Sequence, residues 1–362
     1  MAEPITTSRQ GTRQAPSAKK RTFPSAGPLK RALALLIALV LAACGGPLAG
    51  TPSAALPTAV VRLRATPPPT IAPLLSATPT ATFTPTPNPT PTPEQPWRFV
   101  VLGDTRTEGL RPPTITYQIV EQAARAEPAI VLTVGDMINA LDTQAEVRQQ
   151  WQNWREAVAP LGANPARGEP WLLVTPGNHD VQGHDWATDL LTEAFPELPS
   201  NGPPGFARRS YVVDYREVRF ISLDSESREA LHLLDDAQLD WLEAQLSENA
   251  RRYTIVYSHD PAYPVGPHIG SSLDAYPEAR DRLWRLLAEY RVTAYIAGHE
   301  HLYNRQAING VQQIIAGTSG SFVYGGFGGD FYHYMVGLVG PDGIEFTVFD
   351  PQGAERDRFT LP

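Results

Sequence analysis

From Trp97 onward the chain alternates short apolar runs with Gly-bearing polar corners and longer amphipathic stretches. Residues 98–102 (Arg-Phe-Val-Val-Leu) are short, apolar and closed by Gly103-Asp104, a pattern that predicts a buried strand. Apolar residues then recur at helical spacing over 115–126. A second buried strand is predicted at 129–134, a tryptophan-bearing amphipathic helix at 146–158, and a third strand at 171–174. Further strands are expected near 208–214, 218–223, 253–257 and 294–297, and further helices near 236–249 and 275–290. The last sixty residues are strand-like and Gly-rich. Alternating strands and helices, followed by strands, predict an α/β domain with helices outside a mixed sheet. There is no internal repeat.

The first quarter of the chain has a different character. Residues 1–31 carry Arg9, Arg13, Lys19, Lys20, Arg21, Lys30 and Arg31 against the single acid Glu3. An uninterrupted apolar run of 12 residues follows, 32–43, ending Leu41-Ala42-Ala43-Cys44-Gly45. This order is that of a secretory signal, and the run is shorter than the ~20 residues a membrane-spanning helix needs. Leu-Ala-Ala-Cys resembles the bacterial lipobox, in which the cysteine is lipidated and becomes the mature N-terminus. An ordinary cleaved signal is the alternative. Residues 45–96 then hold 14 Pro and 11 Thr in 52 positions, with Arg62, Arg64 and Glu94 as their charges. Proline removes backbone donors and fixes φ, so this segment is expected to be an extended, disordered linker. At about 3.1 Å per residue it could hold a domain ~100 Å or more from a membrane. The expected organisation is therefore a signal over 1–44, a linker over 45–96 and one catalytic domain over 97–362. The expected location is the outer face of a bacterial membrane, through lipidated Cys44.

Composition narrows the function. A net charge of −8 argues against a broad nucleic-acid-binding surface. Cys44 is the single cysteine, so no disulfide closes within the chain. The informative residues are Asp104, Asp136, Asn178, His259, His299 and His301, each placed just after an apolar strand. In open α/β sheets that edge is where loops converge on a ligand. Carboxylate, amide and imidazole groups suit a pair of manganese, iron or zinc ions, and a metal pair suits in-line displacement at phosphorus. An isolated Gly-Asp is ordinarily a turn; the order and placement of all the motifs together carry the metal reading. No nucleophile elbow and no phosphate-cradling Gly-Lys loop competes with it.

The order Gly103-Asp104-Thr105-Arg106, Gly135-Asp136, Gly177-Asn178-His179-Asp180, Ser258-His259-Asp260, Gly298-His299-Glu300-His301 resembles the calcineurin-like metallophosphoesterases, and extends to their purple acid phosphatase branch. The resemblance implies a four-layer α/β/β/α sandwich and hydrolysis of phosphate esters. It puts Asp104 and His301 on one metal, Asn178, His259 and His299 on the other, and Asp136 between them. It further implies a metal-bridging hydroxide as nucleophile, with His179, oriented by Asp180, protonating the leaving oxygen. Two positions depart from the family pattern. Arg106 stands where an imidazole ligand is usual, and a guanidinium cannot bind a metal. Asn139 stands where the purple acid phosphatases place a metal-binding tyrosine, and is a candidate supplementary ligand. Arg106 either holds substrate phosphate or forms a salt bridge to a ligand carboxylate. A small phosphorylated substrate is the expected partner. Rival readings are a phosphodiesterase acting on nucleotides or lipid head groups, and a surface phosphate-binding protein that has lost turnover.

Overall fold

The computed structural model describes residues 95–163, 171–227 and 230–362. The expected signal, Cys44 and almost all of the linker lie outside them. The chain enters at β1 (Trp97–Leu102), α1 (Thr114–Ala124), β2 (Ile130–Thr133), α2 (Gln144–Val158), β3 (Leu172–Val174), α3 (Asn178–Val181) and α4 (Ala187–Ala194). It continues through β4 (Tyr211–Tyr215), β5 (Val218–Ser222), a small hairpin β6–β7 (Glu226–Ser227, Ala230–Leu231), α5 (Asp236–Ser247), β8 (Tyr253–Tyr257), α6 (Pro277–Glu289) and β9 (Ala294–Ala297). It closes with β10 (Tyr303–Ile308), β11 (Val311–Ala316), β12 (Tyr334–Gly340), β13 (Gly343–Phe349) and β14 (Glu355–Leu361).

Two six-stranded sheets form, in the orders β14-β13-β12-β1-β2-β3 and β10-β11-β9-β8-β5-β4. Side chains on a strand alternate faces, and the second sheet shows the consequence. Phe220, Ile255, Tyr257, Ala294 and Ile296 point into a core shared with the first sheet. Their neighbours Ile221, Val256, Tyr295 and Ala297 point the other way, against Leu239, Leu242 and Leu246 of α5 and Leu283, Trp284 and Leu287 of α6. Between the sheets Phe99 meets Phe220 and Phe346 edge-on, each at 5.7 Å between centroids. The same hydrophobic cluster continues into the helices beside the first sheet, through Ile119 of α1, Trp151 and Trp154 of α2 and Leu190 of α4. The result is the expected four-layer α/β/β/α arrangement.

Most predicted elements form where the periodicity put them. The strand expected from 208 starts later, at Tyr211, because Arg208 takes the left-handed conformation (φ 62°) in a turn. Helix α4 has too few apolar positions to announce itself. It is held instead by α2: Arg148 pairs with Glu193, and Arg155 donates to the Ala194 carbonyl.

The topology sets up the site. Strands β1, β2 and β3 run parallel in one sheet, and β5, β8 and β9 run parallel in the other. Their carboxyl ends carry all the spaced motifs, Asp104, Asp136 and Asn178 from one sheet and His259, His299 and His301 from the other.

Candidate metal centre and active site

Three of the metal-ligand candidates sit in strained backbone. Asp104 (φ 50°), Asp136 (φ 53°) and His299 (φ 66°) each adopt the left-handed region that side chains with a Cβ avoid. The glycines beside them make room for a tight convergence. A Cβ at Gly177 would meet the Asp136 amide nitrogen at 2.2 Å, and one at Gly298 would meet Asp104 Oδ2 at 2.4 Å. Behind the Asp104 loop, buried Trp154 of α2 donates its indole N–H to Thr105 Oγ1 at 2.8 Å.

The donor chemistry fits metal ions. His259 Nδ1 is bonded to the Val134 carbonyl at 2.8 Å, His299 Nε2 to the Ser271 carbonyl at 2.9 Å, and His301 Nδ1 to the Phe322 carbonyl at 2.9 Å. A carbonyl only accepts, so each ring carries its proton on that nitrogen and presents a lone pair on the other. The His259 Nε2 lone pair then faces Asn178 Oδ1 at 3.0 Å and His299 Nδ1 at 3.2 Å, with Asp136 Oδ1 at 3.4 Å. His299 Nδ1 also lies 3.1 Å from Asn178 Oδ1. His301 Nε2 faces Asp104 Oδ1 at 3.4 Å, and ligand atoms of Asp104, Asp136 and His301 lie within 4.8 Å of one another. Acceptors thus converge on acceptors at two adjacent points, with Asp136 touching both sets. A cation at each point is what turns this mutual repulsion into binding.

Protonation behaviour agrees for His299 and His301, whereas at His259 burial favours the neutral ring but Asp136 and Asp104 raise it overall. Burial pushes the Asp104 carboxyl well above its ordinary range, with neighbouring Asp136 adding to the effect. Burial alone would raise Asp136 too, but His259, His179 and Arg106 hold it below the carboxylate range. Burial also pulls the His301 imidazole down to about 4 and His299 well below its usual value, so both are neutral, metal-ready ligands.

Two expected roles change in the structure, and for Arg106 one of the two expected alternatives forms. Asp180 does not orient the His179 ring: its Oδ1 accepts from the Met137 and Ile138 amides and its Oδ2 from the Gly177 amide, all at 2.9 Å. It is fully buried and ties the Asp136 loop to the Gly177 loop. The residue that meets the His179 ring is Asn139, whose Oδ1 lies 2.7 Å from His179 Nδ1 while its Nδ2 donates to Glu108 Oε2 at 2.9 Å. Because the carboxylate can only accept, the amide must turn its oxygen to the imidazole, and His179 carries a proton on Nδ1. Asn139 is therefore engaged as a hydrogen-bond partner, not turned to the metal positions. Arg106 resolves to the salt bridge: its Nε donates to Asp136 Oδ2 at 2.9 Å, with Glu108 at 3.6 Å from Nη1. The opposite oxygen, Asp136 Oδ1, accepts the His179 amide at 2.9 Å.

Other residues sort by position. His268 enters the site: its ring is 4.1 Å from that of His299, its Nε2 bonds Tyr324 Oη at 2.9 Å, and burial lowers it to about 4. Glu300, between the two ligand histidines, accepts the Gly266 and His268 amides and so fastens that loop. His333 is buried beneath the Gly-rich loop against Thr318, Tyr263 packs on Trp284, and His184 stacks on Trp186. His232 lies with its ring 5.3 Å from that of His299, 2.9 Å from Asp260 Oδ2 and 3.5 Å from Glu226 Oε1. Burial alone would lower it, but those two carboxylates raise it to about 10. Burial, with Asp260 adding to it, raises Glu226 to about 8, and both acids are fully buried. No periodicity marks a residue brought in by a two-residue hairpin strand.

The fold and this ligand geometry define a metallophosphoesterase. The calcineurin-like phosphoesterase family model matches residues 98–303, more than half of the chain, and the chain belongs to that family. Human tartrate-resistant acid phosphatase type 5 is 27% identical over 211 residues, covering 53% of this chain and 61% of that protein. The glycerophosphodiester phosphodiesterase GpdQ of Enterobacter lignolyticus is 29% identical over 182 residues, covering 49% of this chain and 57% of that protein. The chain thus spans less than two thirds of the length of these relatives. A purple acid phosphatase from yellow lupin seeds shares the fold with a TM-score of 0.58 at 17% identity, covering 75% of this chain and 55% of that one.

Proposed function

We propose that this chain hydrolyses phosphate esters at a dinuclear metal centre, outside the cytoplasmic membrane. The observation that carries the reading is the convergence of imidazole lone pairs from His259, His299 and His301 on Asp104, Asp136 and Asn178. Asp104 and His301 would hold one ion, Asn178, His259 and His299 the other, and Asp136 would serve both. Ions of the manganese, iron or zinc kind supply there a neutralising charge for the phosphate and a lowered pKa for water. Arg106 keeps Asp136 ionised and oriented, and the guanidinium's charge adds to the field that draws an anionic ester in. Asn139 holds the His179 ring by Nδ1, so Nε2 is the nitrogen that faces the leaving oxygen; it has a proton to give only when the ring is doubly protonated, a form that burial disfavours and Asp136 favours. Asp180 keeps the loops of Asp136 and His179 in register.

Acid phosphatases and a phosphodiesterase both stand among the relatives, so monoester and diester are arms of one test. The purified full chain, given each of Mn²⁺, Fe²⁺ and Zn²⁺, is screened against phosphomonoesters and phosphodiesters. Metal-dependent turnover that chelation and Asp136→Ala both abolish is the expected result. Stoichiometric metal binding with no turnover of either class would instead leave a phosphate-binding protein. The extracytoplasmic location rests on the basic, apolar, Leu-Ala-Ala-Cys order before Cys44 and on the Pro/Thr-rich spacer behind it.

A further inference from the structure

We propose that Phe322, backed by Tyr324, is a stacking shelf for a flat aromatic group carried by the ester, so that the site favours aryl or nucleoside phosphates over small aliphatic ones. The inference rests on the phosphoesterase reading and deepens it by naming a substrate class. A single exposed phenylalanine is ordinary on a protein surface. Phe322 differs in where it is fixed. The residue is 59% exposed, yet its ring lies 4.9 Å from that of His301, at 76°. Tyr324 stacks flat on His301 at 4.5 Å and 6°, and meets Phe322 at 5.1 Å and 78°. Neither ring lies parallel to Phe322, so neither of them serves as its stacked partner.

The backbone on both sides is bolted to the site. The Phe322 carbonyl accepts from His301 Nδ1 at 2.9 Å, and the Tyr324 amide donates to the His301 carbonyl at 2.8 Å. The Ser321 amide donates to the Asp104 carbonyl at 2.7 Å, and its hydroxyl to the Arg106 carbonyl at 3.3 Å. The backbone that carries the ring is therefore tied to the candidate ligands on both sides, which limits what must be ordered when an ester arrives. The neighbouring groups are polar: Arg106 with Glu108, Asn139 with His179, and His268 with Tyr324. A phosphate held at the metal positions would have charged and hydrogen-bonding groups around it, and Phe322 is the exposed apolar ring fixed beside one of them, His301. A planar ring on the ester buries that face; a glycerol chain brings hydroxyls to it instead.

The test titrates phenylphosphonate, adenosine 5′-monophosphate and methylphosphonate into the full chain with Mn²⁺, for wild type, Phe322→Ala and Phe322→Trp. Phe322→Ala should weaken the aromatic ligands about tenfold, within the range of base–aromatic stacking, and leave methylphosphonate within about twofold. Phe322→Trp should keep aromatic binding. Loss for phenylphosphonate alone assigns the shelf to aryl esters, loss for the nucleotide alone to nucleosides, and loss for both to either ring. Equal weakening of all three would reduce Phe322 to a support for His301 and overturn the proposal, as would no change in any. Because the readout is binding, it decides the shelf even if the wild type turns over no ester, the result that defeats the phosphoesterase reading.

Discussion

Replacing Asn139 with alanine removes one hydrogen bond from each of two neighbours. Glu108, 82% exposed, turns to water and loses little. His179 loses the acceptor 2.7 Å from Nδ1 that fixes its ring plane and tautomer. A neutral hydrogen bond is worth about 1 kcal/mol net, or roughly fivefold. Orientation adds to this, since partners that hold a functional imidazole are worth about 10–100-fold in activity. A fall in kcat of about 10–100-fold is therefore expected for an alkyl phosphate. That is smaller than the about 10²–10⁴ expected for His179→Ala, which removes the proton donor itself. A nitrophenyl ester, whose leaving group needs no proton, should lose little in either variant. Because Asn139 acts through His179, the double variant should be no worse than His179→Ala alone. Steady-state kinetics on both esters, with elemental analysis of each variant, provide the check. Metal lost from Asn139→Ala would mean that the amide is a ligand after all, and equal losses for both leaving groups would refute the positioning role.

Arg106→His exchanges the guanidinium on Asp136 Oδ2 for an imidazole; metal content after dialysis should rise toward two ions per chain, and two equally tight ions in the wild type would contradict the unequal sites this implies. Asp180→Ala strands three buried amides, those of Met137, Ile138 and Gly177, and should destabilise by about 3–5 kcal/mol. That is a fall of roughly 10 °C in Tm, and a calorimetric change within error would show that water replaces the carboxylate. Cys44→Ser should release the protein from the membrane fraction or leave its signal uncleaved, because the acyl anchor is lost; wild type and variant equally soluble would remove the anchor.

The elements and the candidate ligand set could be read in the chain because both are local. Residues 98–102, 129–134 and 253–257 are short apolar runs whose strand character needs no partner to be read, and the tryptophan spacing of 146–158 fixes a helix face. Asp104, Asp136, Asn178, His259, His299 and His301 each follow such a run, and parallel strands deliver their carboxyl ends to one edge whatever the loops do between them. What each side chain meets was decided by the tertiary structure. Asp180 is next to His179 in sequence, but a helical turn directs its carboxylate at amides 43, 42 and 3 residues away. Asn139 meets His179 across 40 residues, and Arg106 meets Asp136 across 30. His232 reaches the site through the β6–β7 hairpin, too short for any periodicity, and Phe322 through a loop bolted to Asp104 and His301. Periodicity reports the face a residue shares with its chain neighbours. Pairing between loops depends on where two sheets bring their ends, and that is settled only when the core closes between them.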